Sequence, residues 1–217
     1  MQIAIDGPAG VGKSTLAKRL AQHLDCIYLD TGAMYRGVAL AAKEAGVAPE
    51  DAEGMRLLLE NIDLHFRDVC GKKCLFDHER NIEQTIREPA VSQIVSHYAR
   101  LPEVRESMTR LQQKIASESS VVMDGRDIGT VVLPHADYKF FLTATVAVRA
   151  MRRVSDFKQK GIDTVYEEVV RDIALRDKLD STREIAPLKK APDAIVVDTS
   201  ELDQDEVFKK ILSIIEK

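Results

Sequence analysis

The segment Gly7-Pro8-Ala9-Gly10-Val11-Gly12-Lys13-Ser14 limits what this chain can fold into more than any other stretch. It has the spacing G-x-x-x-x-G-K-S. Before it stands the run Gln2 to Asp6, apolar and then acidic. After it, Leu16, Ala17, Leu20, Ala21 and Leu24 recur at helical spacing. Strand, Gly-rich turn and helix form the setting in which this spacing cradles phosphate. The glycines let backbone N–H groups turn toward one point, at the N-terminus of a helix whose dipole favours an anion. Lys13 then reaches the β- and γ-phosphates of a nucleoside triphosphate, and the Ser14 hydroxyl ligates Mg²⁺ directly. By average composition a chance match in a chain of this length has odds of about 1%. The expected triphosphate-binding residues are Gly7, Pro8, Ala9, Gly10, Val11, Gly12, Lys13, Ser14 and Thr15.

The rest of the chain fits an α/β domain built on that unit. Cys26 to Asp30 reads as a second short strand. Thr31 stands where a cap would begin the helix carrying Met34, Val38, Ala41 and Ala45. The βαβα alternation predicts a parallel sheet covered by helices. Between about Ile62 and Ile82 the rhythm changes. Asp63-Leu64-His65-Phe66, then Cys74-Leu75-Phe76 after the turn-like Gly71-Lys72-Lys73, then a piece ending near Ile82 describe a small antiparallel insertion. Helices are expected from Ile86 to Arg100 and from Glu103 to Ser117. Strands follow at Val121 to Asp124, Tyr138 to Leu142 and Ala194 to Val197. A charge-dense helical stretch runs from Val146 to Arg183, and an amphipathic helix with Val207, Phe208, Ile211, Leu212, Ile214 and Ile215 closes the chain. The Leu57-Leu58-Leu59 run reads as core.

Composition narrows the function classes. With 31 basic and 35 acidic side chains the net charge is −4, which argues against a protein that coats nucleic acid. No apolar run reaches membrane-spanning length, and no leader is expected before Gly7. Three cysteines do not make a disulfide scaffold, so a reduced, cytoplasmic protein is expected. No Asn-Lys-x-Asp base-reading motif of a GTPase is present. A small phosphate-loop kinase is the natural remaining class, and it needs an acceptor site rich in cations. Asp124 ends a buried strand, where an acid can orient Mg²⁺ through water. Arg149, Arg152 and Arg153 fall at i, i+3 and i+4 on one helix face, ahead of Lys158-Gln159-Lys160-Gly161.

Three further blocks carry a resemblance. Leu29-Asp30-Thr31-Gly32-Ala33-Met34-Tyr35-Arg36, Asp124-Gly125-Arg126-Asp127-Ile128-Gly129-Thr130-Val131-Val132 and Ala186-Pro187-Leu188 look like those of bacterial cytidylate kinases, and Val95 to Arg105 is similar to that family as well. The likeness covers nearly the whole chain in order. It implies a three-layer α/β phosphate-loop fold with a parallel sheet, a small antiparallel β insertion in the monophosphate-binding region and a helical lid. It also implies a division into a core (1–35, 84–148 and 184–217), a monophosphate-binding region (36–83) and a lid (149–183).

The implied reaction is transfer of the ATP γ-phosphate to CMP or dCMP, with Mg²⁺, in a monomer that engages neither nucleic acid nor membrane. The implied acceptor residues are Thr31, Tyr35, Arg36, Ser96, Arg105, Arg126, Asp127, Arg176, Asp180 and Arg183. Of these, Arg36, Arg126 and Arg183 would clamp the monophosphate, since guanidinium matches phosphate bidentately. Asp127, Arg105 and the Thr31 hydroxyl would read cytosine, an amino donor beside two acceptors. Thr31 departs from the serine often found at this position. Ser96, Arg176 and Asp180 resemble the ribose-contacting set. Lys13, Asp124, Arg149, Arg152 and Arg153 would serve catalysis, the three arginines closing over the γ-phosphate. Cys70, Cys74, His65 and His78 lie on the β insertion, to which the resemblance gives no metal role. Two other readings stay open at this point: another small kinase acting on UMP or a small metabolite, and a non-catalytic nucleotide sensor.

Overall fold

The structure, a computed structural model, describes residues 1–70, 72–159 and 161–216. The expected turn at Gly71 and the Lys160 part of the segment before Gly161 lie outside the described residues. The elements run in the order β1 (Gln2–Asp6), α1 (Lys13–His23), β2 (Ile27–Asp30), α2 (Thr31–Ala45), α3 (Ala52–Asn61), β3 (Leu64–Val69), β4 (Lys72–Asp77), β5 (Arg80–Asn81), α4 (Pro89–Tyr98), α5 (Pro102–Glu118), β6 (Val121–Gly125), β7 (Tyr138–Thr143), α6 (Val146–Gln159), α7 (Tyr166–Thr182), β8 (Ile195–Asp198) and α8 (Gln204–Ile215). The chain divides into two compact units, one of 1–29 with 118–217, the other of 30–117.

The first unit is built on a five-stranded sheet in the order β2-β6-β1-β7-β8. Strands β6 and β7 both pair parallel to β1, and β8 pairs parallel to β7. Central strands buried on both faces need continuous apolar runs. Ile3, Ala4 and Ile5 of β1 and Val121, Val122 and Met123 of β6 are all fully buried. Helices α1 and α8 close one layer through Leu16, Leu20, Val207 and Ile211 against Ile5, Phe140 and Leu142. Asp203 opens α8 with a reciprocal capping box to Glu206. Parallel order puts the carboxyl ends of β1 and β6 at one edge, where ligands bind in such sheets. Asp6, Asp124 and the chain leading to Arg126 and Asp127 all emerge there.

The expected helical stretch from Val146 to Arg183 is two helices. Helices α6 and α7 pack on each other around their own apolar cluster of Ala150, Val169 and Ile173, flanked by Val146, Val154, Phe157 and Val170. The second unit holds the antiparallel sheet β3-β4-β5, with His65 opposite Phe76 and Arg67 opposite Cys74, together with α2, α3, α4 and α5.

Three local expectations are corrected. Strand β2 runs straight into α2, so the cap falls on Asp30, whose carboxylate accepts the Ala33 N–H at 2.9 Å, and Thr31 becomes the first helical residue. The Leu57-Leu58-Leu59 run is not core: Leu57 is exposed and its neighbours half-buried, because α3 turns Met55 inward instead. The helix expected from Ile86 begins as one 3₁₀ turn (Thr85–Arg87), and Pro89 starts the α-helix, a position where its missing N–H costs nothing.

Candidate active site

The phosphate loop forms as its composition requires. Gly7 has φ +149°, and a β-carbon there would strike the Leu142 carbonyl of β7; Gly10 has φ +75° and lies against the Arg149 backbone. No other residue type fits both conditions. Lys13, buried in the first turn of α1, donates from Nζ to the Pro8 carbonyl at 2.7 Å. Burial pushes its pKa well below the usual lysine value. The nearby Arg126 and Arg176 push the same way, and Asp124 and Asp6 oppose them.

Asp124, at the end of β6, accepts the Ser14 hydroxyl on Oδ2 and the Tyr28 hydroxyl on Oδ1, each at 2.8 Å. A loop hydroxyl and a strand-end carboxylate in contact are hard oxygen donors of the kind Mg²⁺ takes, and they fit that ion. Among the described residues no cluster of three or more His, Cys, Asp or Glu side chains stands ready to hold a metal. An ion at Ser14 and Asp124 therefore needs substrate phosphates and water to complete its shell.

Just beyond β6 a buried network of alternating charge begins. Arg126 Nε donates to Asp180 Oδ2 at 2.8 Å, and Arg183 Nη2 donates to Asp127 Oδ1 at 3.2 Å. Arg183 also donates from Nε to the Ala186 carbonyl at 2.6 Å, since the chain leaves α7 at Thr182 and turns back. Burial opposes ionisation of both members of the first pair. The carboxylates of Asp180, Asp124 and Asp177 outweigh it and raise Arg126. Arg126, Arg176 and Arg183 outweigh it and lower Asp180. Arg176 and Asp180 share one face of α7, as their spacing predicts.

Asp6 supports this segment from β1. Its Oδ1 accepts the Ile128 N–H and its Oδ2 the Gly129 N–H, both at 2.8 Å, so it closes the π-helical turn Ile128–Val132 that begins at Asp127. Burial raises its pKa to about 6 against those two bonds, with Asp127 adding repulsion.

The second unit carries the remaining expected residues. Asp30 is held below the usual carboxylate range. Burial would raise it, but Arg87, bonded at 2.9 Å, and Arg36 prevail. Arg105 is buried, donates to the Ala99 carbonyl at 3.1 Å and lies 5.2 Å from the Tyr35 ring centre, close enough for a cation–π contact. Thr31 is buried at the start of α2, and Ser96 is half-buried on α4.

The three arginines expected to close over the γ-phosphate separate. Arg149 is buried and donates to the Ala144 and Ala9 carbonyls, each at 3.0 Å, and to Asp177. Arg152 donates to the Thr199 hydroxyl and carbonyl and to the Leu202 carbonyl. Arg153 stacks on Phe157 at 4.9 Å.

A family model described as "Cytidylate kinase" matches residues 3–217. The chain belongs to the cytidylate kinase family. It is 50% identical over 215 residues to the cytidylate kinase of Carboxydothermus hydrogenoformans, covering 99% of this chain and 97% of that one. It is 48% identical to that of Exiguobacterium sp., covering 100% and 97%. It is thus a nucleoside monophosphate kinase, a phosphotransferase. Among solved structures, a shikimate kinase from Bacteroides thetaiotaomicron aligns with a TM-score of 0.51 at 12% identity, covering 100% of this chain and 99% of that one. An uncharacterized protein from Eubacterium ventriosum aligns with a TM-score of 0.53 at 14%, covering 100% and 98%. These two likenesses concern the fold.

Membership in the family leaves four residues to which sequence reasoning assigned no role. Tyr28 bonds Asp124, Arg87 bonds Asp30, Asp177 bonds both Arg149 and the phosphate loop, and Asp6 holds the turn after Asp127. Of these, only Asp6 carried a signal, its place at a strand end beside the loop.

Proposed function

We propose that this chain transfers the γ-phosphate of Mg·ATP to CMP, and to dCMP, giving ADP and CDP or dCDP. The observation that carries this reading is the buried network after β6. Two ion pairs, Arg126 with Asp180 and Arg183 with Asp127, stand at the carboxyl edge of the sheet, both carboxylates buried. Such a set suits a dianionic phosphate joined to a base with an exocyclic amine. Uracil would turn an acceptor oxygen toward Asp127 and leave it unpaired.

The assigned acceptor residues are Thr31, Tyr35, Arg36, Ser96, Arg105, Arg126, Asp127, Arg176, Asp180 and Arg183. Arg36, Arg126 and Arg183 take the phosphate; Asp127, Arg105 and Thr31 take cytosine; Ser96, Arg176 and Asp180 take the ribose. Gly7 to Thr15 take ATP. Mg²⁺, held by Ser14 directly and by Asp124 through water, would neutralise phosphate charge. A phosphate oxygen of CMP attacks the γ-phosphorus as the bond to the β-phosphate oxygen breaks, so no protein nucleophile is needed. The side chains position and stabilise charge. Lys13 binds the β- and γ-phosphates, and Arg149, Arg152 and Arg153 are assigned to the transferred group, which requires Arg152 to leave Thr199 and Leu202 and Arg153 to leave Phe157.

The proposal includes a cytoplasmic monomer that acts in pyrimidine nucleotide metabolism and binds no nucleic acid. Its three cysteines are free thiols, and no helix among the described residues is long and apolar enough to cross a membrane. The test is ADP release with Mg·ATP and CMP, dCMP, UMP, AMP, GMP or no acceptor. Turnover confined to CMP and dCMP is expected. Equal or greater turnover with another acceptor overturns the role of Asp127 and Arg105.

A further inference from the structure

Asp177 sits on α7 between Arg176 and, a turn later, Asp180, yet its own bonds go elsewhere. Its Oδ1 accepts the Ala9 N–H of the phosphate loop at 3.2 Å, and its Oδ2 pairs with Arg149 Nη1 at 2.5 Å. The same Nη1 donates to the Ala9 carbonyl at 3.0 Å. Asp177, Arg149 and Ala9 therefore form a closed ring in which each member is bonded to the other two. The ring spans the chain: Ala9 and Asp177 are 168 residues apart.

We propose that Asp177 is a positioning residue for phosphoryl transfer, its carboxylate joining the Arg149 guanidinium to the phosphate loop so that α7 sets both at once. The inference rests on the proposed role of Arg149 toward the transferred phosphate. A guanidinium on a long side chain loses rotamer freedom when held, and a bond to charge holds it better than a carbonyl does. Arg149 has two carbonyl acceptors, Ala144 and Ala9, and one charged one, Asp177. Both Asp177 oxygens are engaged, so an amide cannot replace the carboxylate: it offers one acceptor and turns an N–H₂ toward a donor. Asp177 also adds to the negative field at Arg126, behind Asp180 and Asp124.

The experiment is a double-mutant cycle in the full chain, read as kcat and KM for CMP and ATP, with a thermal midpoint for each protein. The variants are Asp177→Asn, Arg149→Gln and the pair. Asp177→Asn is expected to lower kcat at least tenfold while KM for CMP stays within threefold. The pair is expected to be no slower than Arg149→Gln alone, within threefold. A purely structural aspartate would lower the midpoint and leave kcat. Parent-level kcat in Asp177→Asn, or losses that multiply in the pair, overturns the proposal. Parent-level kcat in Arg149→Gln overturns instead the role given to Arg149, and separates that failure from this one. Should Asp177→Asn not fold, Asp177→Glu replaces it in the same cycle. A loss that vanishes beside Arg149→Gln supports the proposal, and an additive loss or none overturns it.

Discussion

Replacing Asp6 by asparagine separates two effects of one buried carboxylate. The pKa of Asp6 is about 6, against 3.8 for the ordinary side chain, because burial penalises the charged form more than its two backbone bonds favour it. The native state therefore keeps a proton that the unfolded state has released between about pH 4 and pH 6. Stability contributed by that proton is fully present below 3.8 and is lost as pH rises through 6. A shift of about two units corresponds to about 3 kcal/mol in all, at about 1.4 kcal/mol per unit. Of this, about 2 kcal/mol falls between pH 4.5 and 7.5. Asp6→Asn does not titrate. It keeps one acceptor for Ile128 or Gly129 and leaves the other N–H facing an amide, at a pH-independent cost of about 1–3 kcal/mol.

The quantity to follow is the stability of the parent minus that of the variant, across pH, so that every other titrating group cancels. The chain has no tryptophan, so urea unfolding is best read by far-ultraviolet circular dichroism. The difference is expected to move against the parent by about 2 kcal/mol from pH 4.5 to 7.5. A difference that stays flat refutes the reasoning, since it means that Asp6 ionises in the native state as easily as in the unfolded one.

Asp127→Asn is expected to lower kcat/KM for CMP about 10- to 100-fold and to raise the UMP-to-CMP ratio, because the amide can donate to the uracil oxygen. An unchanged ratio in the acceptor assay contradicts the base-reading role. Lys13→Ala is expected to slow ADP release with CMP about 10²- to 10³-fold through loss of charge on the transferred phosphate, and parent-like turnover contradicts it. Gly7→Ala meets the Leu142 carbonyl and an unfavourable φ together. It is expected to cost about 1–3 kcal/mol in thermal unfolding and to weaken ATP binding measured by titration calorimetry.

What could be read from the sequence was what local pattern controls. The loop spacing, its flanking strand and helix, and the acid ending β6 stand within short windows. So does the change of period that marks β3 to β5. The cap at Asp30 was missed by one residue because nothing in the sequence marks a strand that enters a helix without a loop. Leu57 to Leu59 misled because three leucines in a row point in three directions on a helix, and only Met55 of α3 meets the interior. Asp177 was not legible at all. It is one of 35 acidic residues, on a helix where charge is common, and its meaning depends on Arg149 and on Ala9. The pairing of Arg183 with Asp127 was hidden for the same reason, since it requires the chain to turn back after Thr182.

The apolar cluster between α6 and α7 belongs to those helices alone and is far smaller than the one beneath the sheet. A small core of its own makes the helical pair a separate cooperative unit, able to melt while the sheet stays intact. Its amides should then exchange with solvent at a free energy below that of global unfolding. Heat should silence turnover several degrees before circular dichroism reports loss of the sheet. Selection can tune the working temperature of such an enzyme by trading one methyl group at Val169 or Ile173, leaving the core beneath the sheet unchanged.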